Sequence, residues 1–337
     1  MIKTAEAVSL GHPDKIADYI SSYLLDRMIE QDPSVKYAVE VMIKNNTVVL
    51  GGEITGNVCL KHLKKFVLNA LADIGYTKEY ARKWKEYSIE PDKIKIINLI
   101  GHQSGEIYQG VQNDGWGDQG VFVGYACQGK GHIGQAQWLA KHLNQALYEK
   151  ALQSDTLGLD IKTQITLDEH HHVQTAVVAI PMLKKTDLSK FVTETLGEKP
   201  KNLIINGTGI YQSHASIADC GITGRKLACD FYETEAPIGG GSPWTKDSTK
   251  ADLSLNLYAR KLALMYLKEN DSCFIYLSSC IGHSDLLSAV VKTIKNGVVS
   301  SRSITITLKP SEIITLLGLN RPIFAHLCKK GLFSLTD

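Results

Sequence analysis

No apolar run in the chain approaches the roughly 18 residues that a membrane-crossing helix requires, so a transmembrane span is not expected. The opening Met1-Ile2-Lys3-Thr4-Ala5-Glu6 lacks the charged-then-apolar build of a secretory leader. There is no C-x-x-C pair, and the 7 cysteines (59, 127, 220, 229, 273, 280 and 328) form an odd, scattered set. Neither a disulfide framework nor a zinc site is expected from them, and reduced thiols in a cytoplasmic protein are. Charge of one sign is also lacking: a formal net charge of +2 supplies no general attraction to nucleic acid. No low-complexity linker divides the chain. What is present is an ordinary globular composition, 44% apolar and 21% charged, over 337 residues, enough for two or three domains.

Ile16, Ile20, Leu24 and Met28 recur at helical spacing between Pro13 and the stop Asp32-Pro33. Two strands over 36–43 and 47–54 follow, joined at Asn45-Asn46, and then a helix with Leu60, Leu63, Val67, Leu71 and Ile74 on one face. A comparable order returns with strands over 161–167 and 173–180 across a turn holding His170-His171-His172, and a helix over 187–196. A long helix near 250–267 precedes strands over 273–281 and 303–308. The repeated hairpin-plus-helix unit predicts an α+β fold rather than alternating βαβ.

Gly115-Trp116-Gly117-Asp118-Gln119-Gly120 satisfies G-x-G-x-x-G, but polar residues precede it and a strand-like Val121-Phe122-Val123 follows. A dinucleotide site needs the reverse, strand before and helix after, so none is expected. No Walker A sequence occurs. Gly11-His12-Pro13-Asp14-Lys15 opens the first helix, where free N–H groups favour an anion; the plain alternative is a capped helix. Asp219 through Lys226 sets Arg225 and Lys226 after a turn begun by a carboxylate. Gly239-Gly240-Gly241 leads to Lys246, Asp247, Lys250 and Asp252. Each group alone could be a surface turn or loop. Together, three groups that combine cations with carboxylates suit a polyphosphate carrying Mg²⁺. The three consecutive histidines read as a solvated turn rather than metal ligands.

Taken in order along the chain, these groups resemble the S-adenosylmethionine synthetase family. Glu6 with Gly11 to Asp18 is similar to the family's opening motif, and Gly51-Gly52-Glu53 to a methionine-site strand end. Gln103-Ser104 with Gln109-Gly110-Val111 corresponds to a further family stretch, and residues 115–120 to the family's GAGDQG with Trp116 for Ala. Asp160-Ile161-Lys162 begins a D-x-K-x-Q-V-T-like segment. Asn206 to Gly209, Asp219 to Lys226 and Gly239 to Asp247 complete the set. The resemblance runs from about residue 5 to about residue 335.

The resemblance implies three similar α/β-sandwich domains (1–98, 110–217 and 218–337) about a pseudo-threefold axis. It implies a homodimer with active sites between subunits, which in some members pairs into a tetramer. The substrates would be ATP and L-methionine, with two Mg²⁺ per site and K⁺; no nucleic acid and no membrane would be involved. His12, Lys162, Arg225, Lys246 and Lys250 would contact the triphosphate and carry catalysis. Asp14 and Asp252 would bind Mg²⁺ and Glu40 the K⁺. Glu53, Gln103 and Asp118 would hold methionine. Lys15, Asp160, Tyr211, Asp219, Lys226 and Ile281 would complete the ATP side. The chain departs from the family pattern in a shorter stretch between Val111 and Gly115, in Ile210 after Asn206-Gly207-Thr208-Gly209, and in Ser213-His214-Ala215 where Gly-Gly-Pro is usual. It also carries Ser242-Pro243-Trp244-Thr245 in the glycine loop, and His132 to Gln137 lacks the usual proline-containing stretch. Two rival readings stay open at this level. One is a paralogue with altered methionine-analogue or tripolyphosphatase activity; the other is a silent nucleotide-binding partner subunit.

Overall fold

The computed structural model describes residues 2–101 and 114–336. Its strands are β1 (Lys3–Val8), β2 (Lys36–Lys44), β3 (Thr47–Thr55), β4 (Lys95–Gly101), β5 (Gly120–Cys127), β6 (Lys162–Leu167), β7 (Val173–Ala179), β8 (Asn202–Ile205), β9 (Gly221–Ile222), β10 (Ser272–Ser279), β11 (Ser288–Lys295) and β12 (Val298–Ser303). Helices longer than a single turn are α1 (Pro13–Ile29), α2 (Leu63–Ile74), α3 (Lys78–Trp84), α4 (Gln135–Leu152), α5 (Ser189–Leu196), α6 (Ala251–Leu267), α7 (Pro310–Leu316) and α8 (Phe324–Lys330).

The strands form three four-stranded sheets, β1-β6-β7-β8, β12-β11-β10-β5 and β4-β3-β2-β9. Each mixes antiparallel neighbours from nearby hairpins with a strand from far along the chain: β1 joins β6, β5 joins β10, and β9 joins β2. No sheet is therefore confined to one of the spans 1–98, 110–217 and 218–337. One long helix packs on each sheet, α1 on β2, α4 on β1 and β6, and α6 on β5 and β10. The architecture is α+β, as the hairpin-plus-helix repeat predicts.

α1 shows why the site sits where it does. The stripe of Ile16, Ile20, Leu24 and Met28 is fully buried, and so are Ala17 and Tyr19 on other faces. A helix covered on nearly every side belongs to the centre of the protein, and α1 touches α2, α8, β2 and β9. Pro13 is well placed in its first turn, and the cap is His12, whose Nδ1 accepts the Asp14 amide at 3.2 Å.

The β2–β3 hairpin turns at Asn45, with φ +52°. The three histidines sit on the β6–β7 hairpin tip, where the Asp168 carboxylate accepts the His170 and His172 amides. Residues 115–120 lead into β5 rather than a helix, so the dinucleotide fingerprint fails on structure as on sequence. One expected strand is displaced. Residues 303–308 are not a strand beyond Ser303; the ladder partner of β11 is β12, reached through Asn296-Gly297, both at positive φ. Ile304, Ile306 and Leu308 pack on the core from an irregular segment, which accounts for their alternation without a ladder.

Candidate active site

The first group of side chains gathers where α1 begins. β1 runs antiparallel to β6 with Val8 opposite Lys162, which brings Lys162 to the start of α1. The Asp14 carboxylate, 1% exposed, accepts Lys226 Nζ at 2.6 Å and the Ile222 amide at 2.9 Å, with Arg225 Nε at 3.8 Å. Burial opposes the Asp14 anion, but the bonds from Lys226 and Ile222 outweigh it and hold its pKa below the ordinary value. Asp160 accepts the Ala215 amide at 2.9 Å, and burial pushes it up to about 6 against the pull of Lys162.

His12 lies among these groups, 2% exposed. Burial first, then the Lys226 and Lys162 cations, push its pKa down to about 3. With Nδ1 accepting from Asp14, the neutral ring carries its proton on Nε2, so His12 offers one N–H donor and no positive charge.

The second group lies along β2. The segment after the glycines runs beside that strand: Val39 N–H donates to Thr245 O at 2.9 Å, and the Asp247 carboxylate accepts the Tyr37 amide at 2.8 Å. This lays Lys246 beside Ala38, where its ammonium bonds the Asp252 carboxylate in the first turn of α6. Gly241 is required here, because a Cβ would stand 1.9 Å from Asp252 Oδ1. Lys250 caps α6 and is largely buried. Glu40, on the outward face of β2, accepts the Thr223 hydroxyl. Glu53 lies opposite Ala38 on the same face, two pairs along the ladder from Glu40–Gly51.

The two groups adjoin. The turn holding Thr223 and Gly224 touches the glycine loop, and a Cβ on Gly224 would stand 3.1 Å from Ser242 Cβ. Trp116 is fully buried and bridges Ile281, whose side chain stays exposed, while Ser279 Oγ donates to Asp118 O at 2.8 Å. Tyr211 is fixed by its carbonyl, which accepts the Met182 amide, and burial pushes its phenol well above the ordinary range. Gln103 lies outside the described residues, as do Ser104 and residues 109–111.

Lys15 lies in a buried ion-pair cluster. It is 5% exposed, and its ammonium is 2.8 Å from Asp230 Oδ1, 3.1 Å from Asp18 Oδ2 and 4.6 Å from the centre of the Trp244 ring. Trp244 Nε1 donates to Asp230 at 2.8 Å and the Gly224 amide to Asp18 at 2.8 Å. Lys15 therefore anchors the glycine loop and the Thr223–Gly224 turn from below. Asp230, Trp244 and Thr223 were not singled out for such roles by the sequence; a tryptophan in a glycine loop was the one available signal.

The buried histidines make stability pH-dependent. His12 is lowered to about 3 and His214, by burial, to about 4, from an ordinary 6.5. Between those limits the unfolded chain holds the protons and the folded chain does not, so their contribution is lost as pH falls from about 6.5 toward 4. Asp18, Asp26 and Asp160, each raised to about 6 chiefly by burial, act in the opposite sense and add stability as pH falls from about 6 toward 3.8. Replacing one histidine isolates its share. In urea titrations at pH 7 and pH 5, His214→Gln should lose about 2 kcal/mol less on acidification than the parent chain. Parallel pH profiles would contradict this.

The sheets, the capped central helix and the paired cation–carboxylate groups define an α+β protein in which two clusters of cations and carboxylates adjoin. Family models describe residues 1–105 as an S-adenosylmethionine synthetase N-terminal domain and residues 213–337 as the C-terminal domain. The chain is 33% identical to S-adenosylmethionine synthase 2 of Rhodospirillum rubrum, over 98% of this chain and 91% of that protein. It is equally 33% identical to the S-adenosylmethionine synthase of Paramagnetospirillum magneticum, over 98% and 92%. A solved structure described as an unusual S-adenosylmethionine synthetase from Campylobacter jejuni superposes with a TM-score of 0.87 at 29% identity, over 98% of this chain and 94% of that one. The chain belongs to the S-adenosylmethionine synthetase family, and so to the methionine adenosyltransferases.

Proposed function

We propose that the chain forms S-adenosylmethionine from ATP and L-methionine, releasing phosphate and pyrophosphate by way of bound tripolyphosphate. The observation that carries this reading is the junction of two cation–carboxylate groups, Asp14 with Arg225 and Lys226 beside a neutral, buried His12, and Asp252 with Lys246 in the adjoining glycine loop.

A thioether sulfur has no proton to lose, so attack on C5′ needs no general base. It needs alignment of sulfur, carbon and leaving oxygen, and donors set where negative charge grows. His12 donates through Nε2–H, and Lys162, Arg225, Lys246 and Lys250 supply cations along the triphosphate. Asp160, Tyr211, Asp219, Lys226 and Ile281 line the nucleoside side, while Glu53, Asp118 and Gln103 hold methionine. The same cations then serve hydrolysis of the tripolyphosphate.

No three His, Cys, Asp or Glu side chains converge as a metal site among the described residues. Asp14 and Asp252 instead stand singly beside lysines, which fits Mg²⁺ held through one or two carboxylates plus substrate phosphates. When bound, Mg²⁺ neutralises the triphosphate, with Asp14 and Asp252 as its protein ligands; Glu40 would hold K⁺. The outward face of β4-β3-β2-β9 carries Met42, Ile97 and Leu99, the last 65% exposed, beside Glu40 and Glu53. An apolar sheet face containing site residues supports a homodimer with active sites between subunits. No helix among the described residues is long and apolar enough to cross a membrane. The 7 scattered cysteines, all free, support a cytoplasmic location.

Purified protein incubated with ATP, L-methionine, Mg²⁺ and K⁺ should yield S-adenosylmethionine, phosphate and pyrophosphate, the sulfonium product depending on methionine. Mass spectrometry and phosphate analysis check this. Tripolyphosphate hydrolysis with no sulfonium product would replace the proposal with a tripolyphosphatase.

A further inference from the structure

We propose that His214 is a positioning residue for the nucleotide side of the cleft, its ring tying the segment that carries Ala215 and Asp219 to the segment that carries Asp160 and Lys162. His214 stands in Ser213-His214-Ala215, five residues before Asp219. The inference rests on the proposed function, in which Asp160 and Asp219 face the nucleoside.

The direction of the bonds is fixed by chemistry. His214 Nδ1 lies 2.8 Å from the Gln212 carbonyl, which can only accept, so the proton of the neutral ring is on Nδ1. Nε2 then offers a lone pair, and the Tyr80 hydroxyl 2.7 Å away donates to it. The Tyr80 oxygen in turn accepts the Leu159 amide at 3.2 Å. One continuous line of hydrogen bonds thus runs from Gln212 to the residue preceding Asp160.

Both ends of that line meet the site. Ala215, next to His214, is fully buried with φ +53°, a backbone state that a residue with a Cβ adopts only when its surroundings impose it. Its amide donates to Asp160 at 2.9 Å, and its carbonyl accepts the Asp219 amide at 3.0 Å. The His214 amide itself donates to Tyr87 O at 3.0 Å. At the other end, Leu159 O accepts Ser9 Oγ at 2.6 Å, and Gly11 packs so closely that a Cβ there would stand 2.3 Å from that oxygen. Tyr76, edge-on to Tyr80 at 5.3 Å, donates to Gly11 O at 2.7 Å, one residue before His12. Trp84 closes over the His214 ring with centroids 4.6 Å apart. His214 is 1% exposed, so its influence passes through the backbone it holds.

Binding of a non-hydrolysable ATP analogue with Mg²⁺, measured by calorimetry, tests this in His214→Phe, Tyr80→Phe and the double variant. Tyr80→Phe removes one oxygen and keeps the ring packing, so it remains informative if His214→Phe fails to fold. Each single variant is expected to weaken the analogue by about tenfold, the double variant by little more than either, and KM for methionine is expected to stay unchanged. Unchanged analogue affinity in folded variants would overturn the proposal, as would equal losses for analogue and methionine. A parent chain that binds no analogue would instead overturn the proposed function, and this inference with it.

Discussion

Lys15→Met is expected to be the most destabilising single substitution near the site, costing about 3–5 kcal/mol. Burial alone would push the Lys15 ammonium toward its neutral form, but Asp230 and Asp18 outweigh it and hold its pKa well above the ordinary lysine range. The two carboxylates have no other buried cation within ion-pair distance among the described residues. Removing the ammonium leaves both acids facing each other out of water, and one must take up a proton or the site must open. Urea midpoints read the loss directly. The double variant Lys15→Met, Asp230→Asn should recover part of it, because the second change removes the orphaned charge while Asn can still accept from Trp244 Nε1. An unchanged midpoint in Lys15→Met, or strictly additive losses in the pair, would show that the cluster is not coupled in this way. The functional consequence follows from Trp244: a loosened Asp230 frees the glycine loop that delivers Lys246.

Lys15 also shows where reading the sequence stops. Gly11 to Lys15 was legible as a helix start, capped or anion-binding; the cap is present, and His12 and Asp14 face Lys162, Arg225 and Lys226. Nothing local distinguishes Lys15 from them, because what turns it inward is Asp230, a residue 215 positions away. α1, the β2–β3 hairpin and α6 were legible for the ordinary reason that their apolar periodicity and stop signals are strong. β12 was not, since all six of its residues are exposed and Val298-Val299-Ser300-Ser301-Arg302-Ser303 carries no alternation. The signal that could have found it was Asn296-Gly297, a strong short-range mark of a two-residue hairpin. Pairing of β1 with β6 and of β5 with β10 leaves no trace in local pattern at all. It depends on burial shared between segments more than a hundred residues apart. Nothing local marks His214; its partner Tyr80 lies on α3, and the bond between them is a property of the folded chain.

Lys246→Met is expected to reverse the pattern of Lys15→Met, with little change in stability and a large loss of turnover. The Lys246 side chain is 25% exposed, and its ammonium has a single carboxylate partner, Asp252, at the mouth of the second group. The pair is partly buried, with the Asp252 side chain 13% exposed, and contributes about 1 kcal/mol to folding, so the urea midpoint should move far less than in Lys15→Met. Turnover is another matter. If Lys246 exchanges Asp252 for the leaving triphosphate, its charge is worth most when the C5′–oxygen bond breaks, and removing it should raise the barrier by about 3 kcal/mol, on the order of a hundredfold in kcat. KM for methionine should change far less, because in the proposed function Glu53 and Asp118, not Lys246, hold the amino acid. Steady-state rates with methionine and ATP varied separately distinguish the cases. A loss confined to methionine affinity would move Lys246 out of the phosphate site. On the proposed function, an equal fall in tripolyphosphate hydrolysis is the companion result, because the same cation would serve both steps.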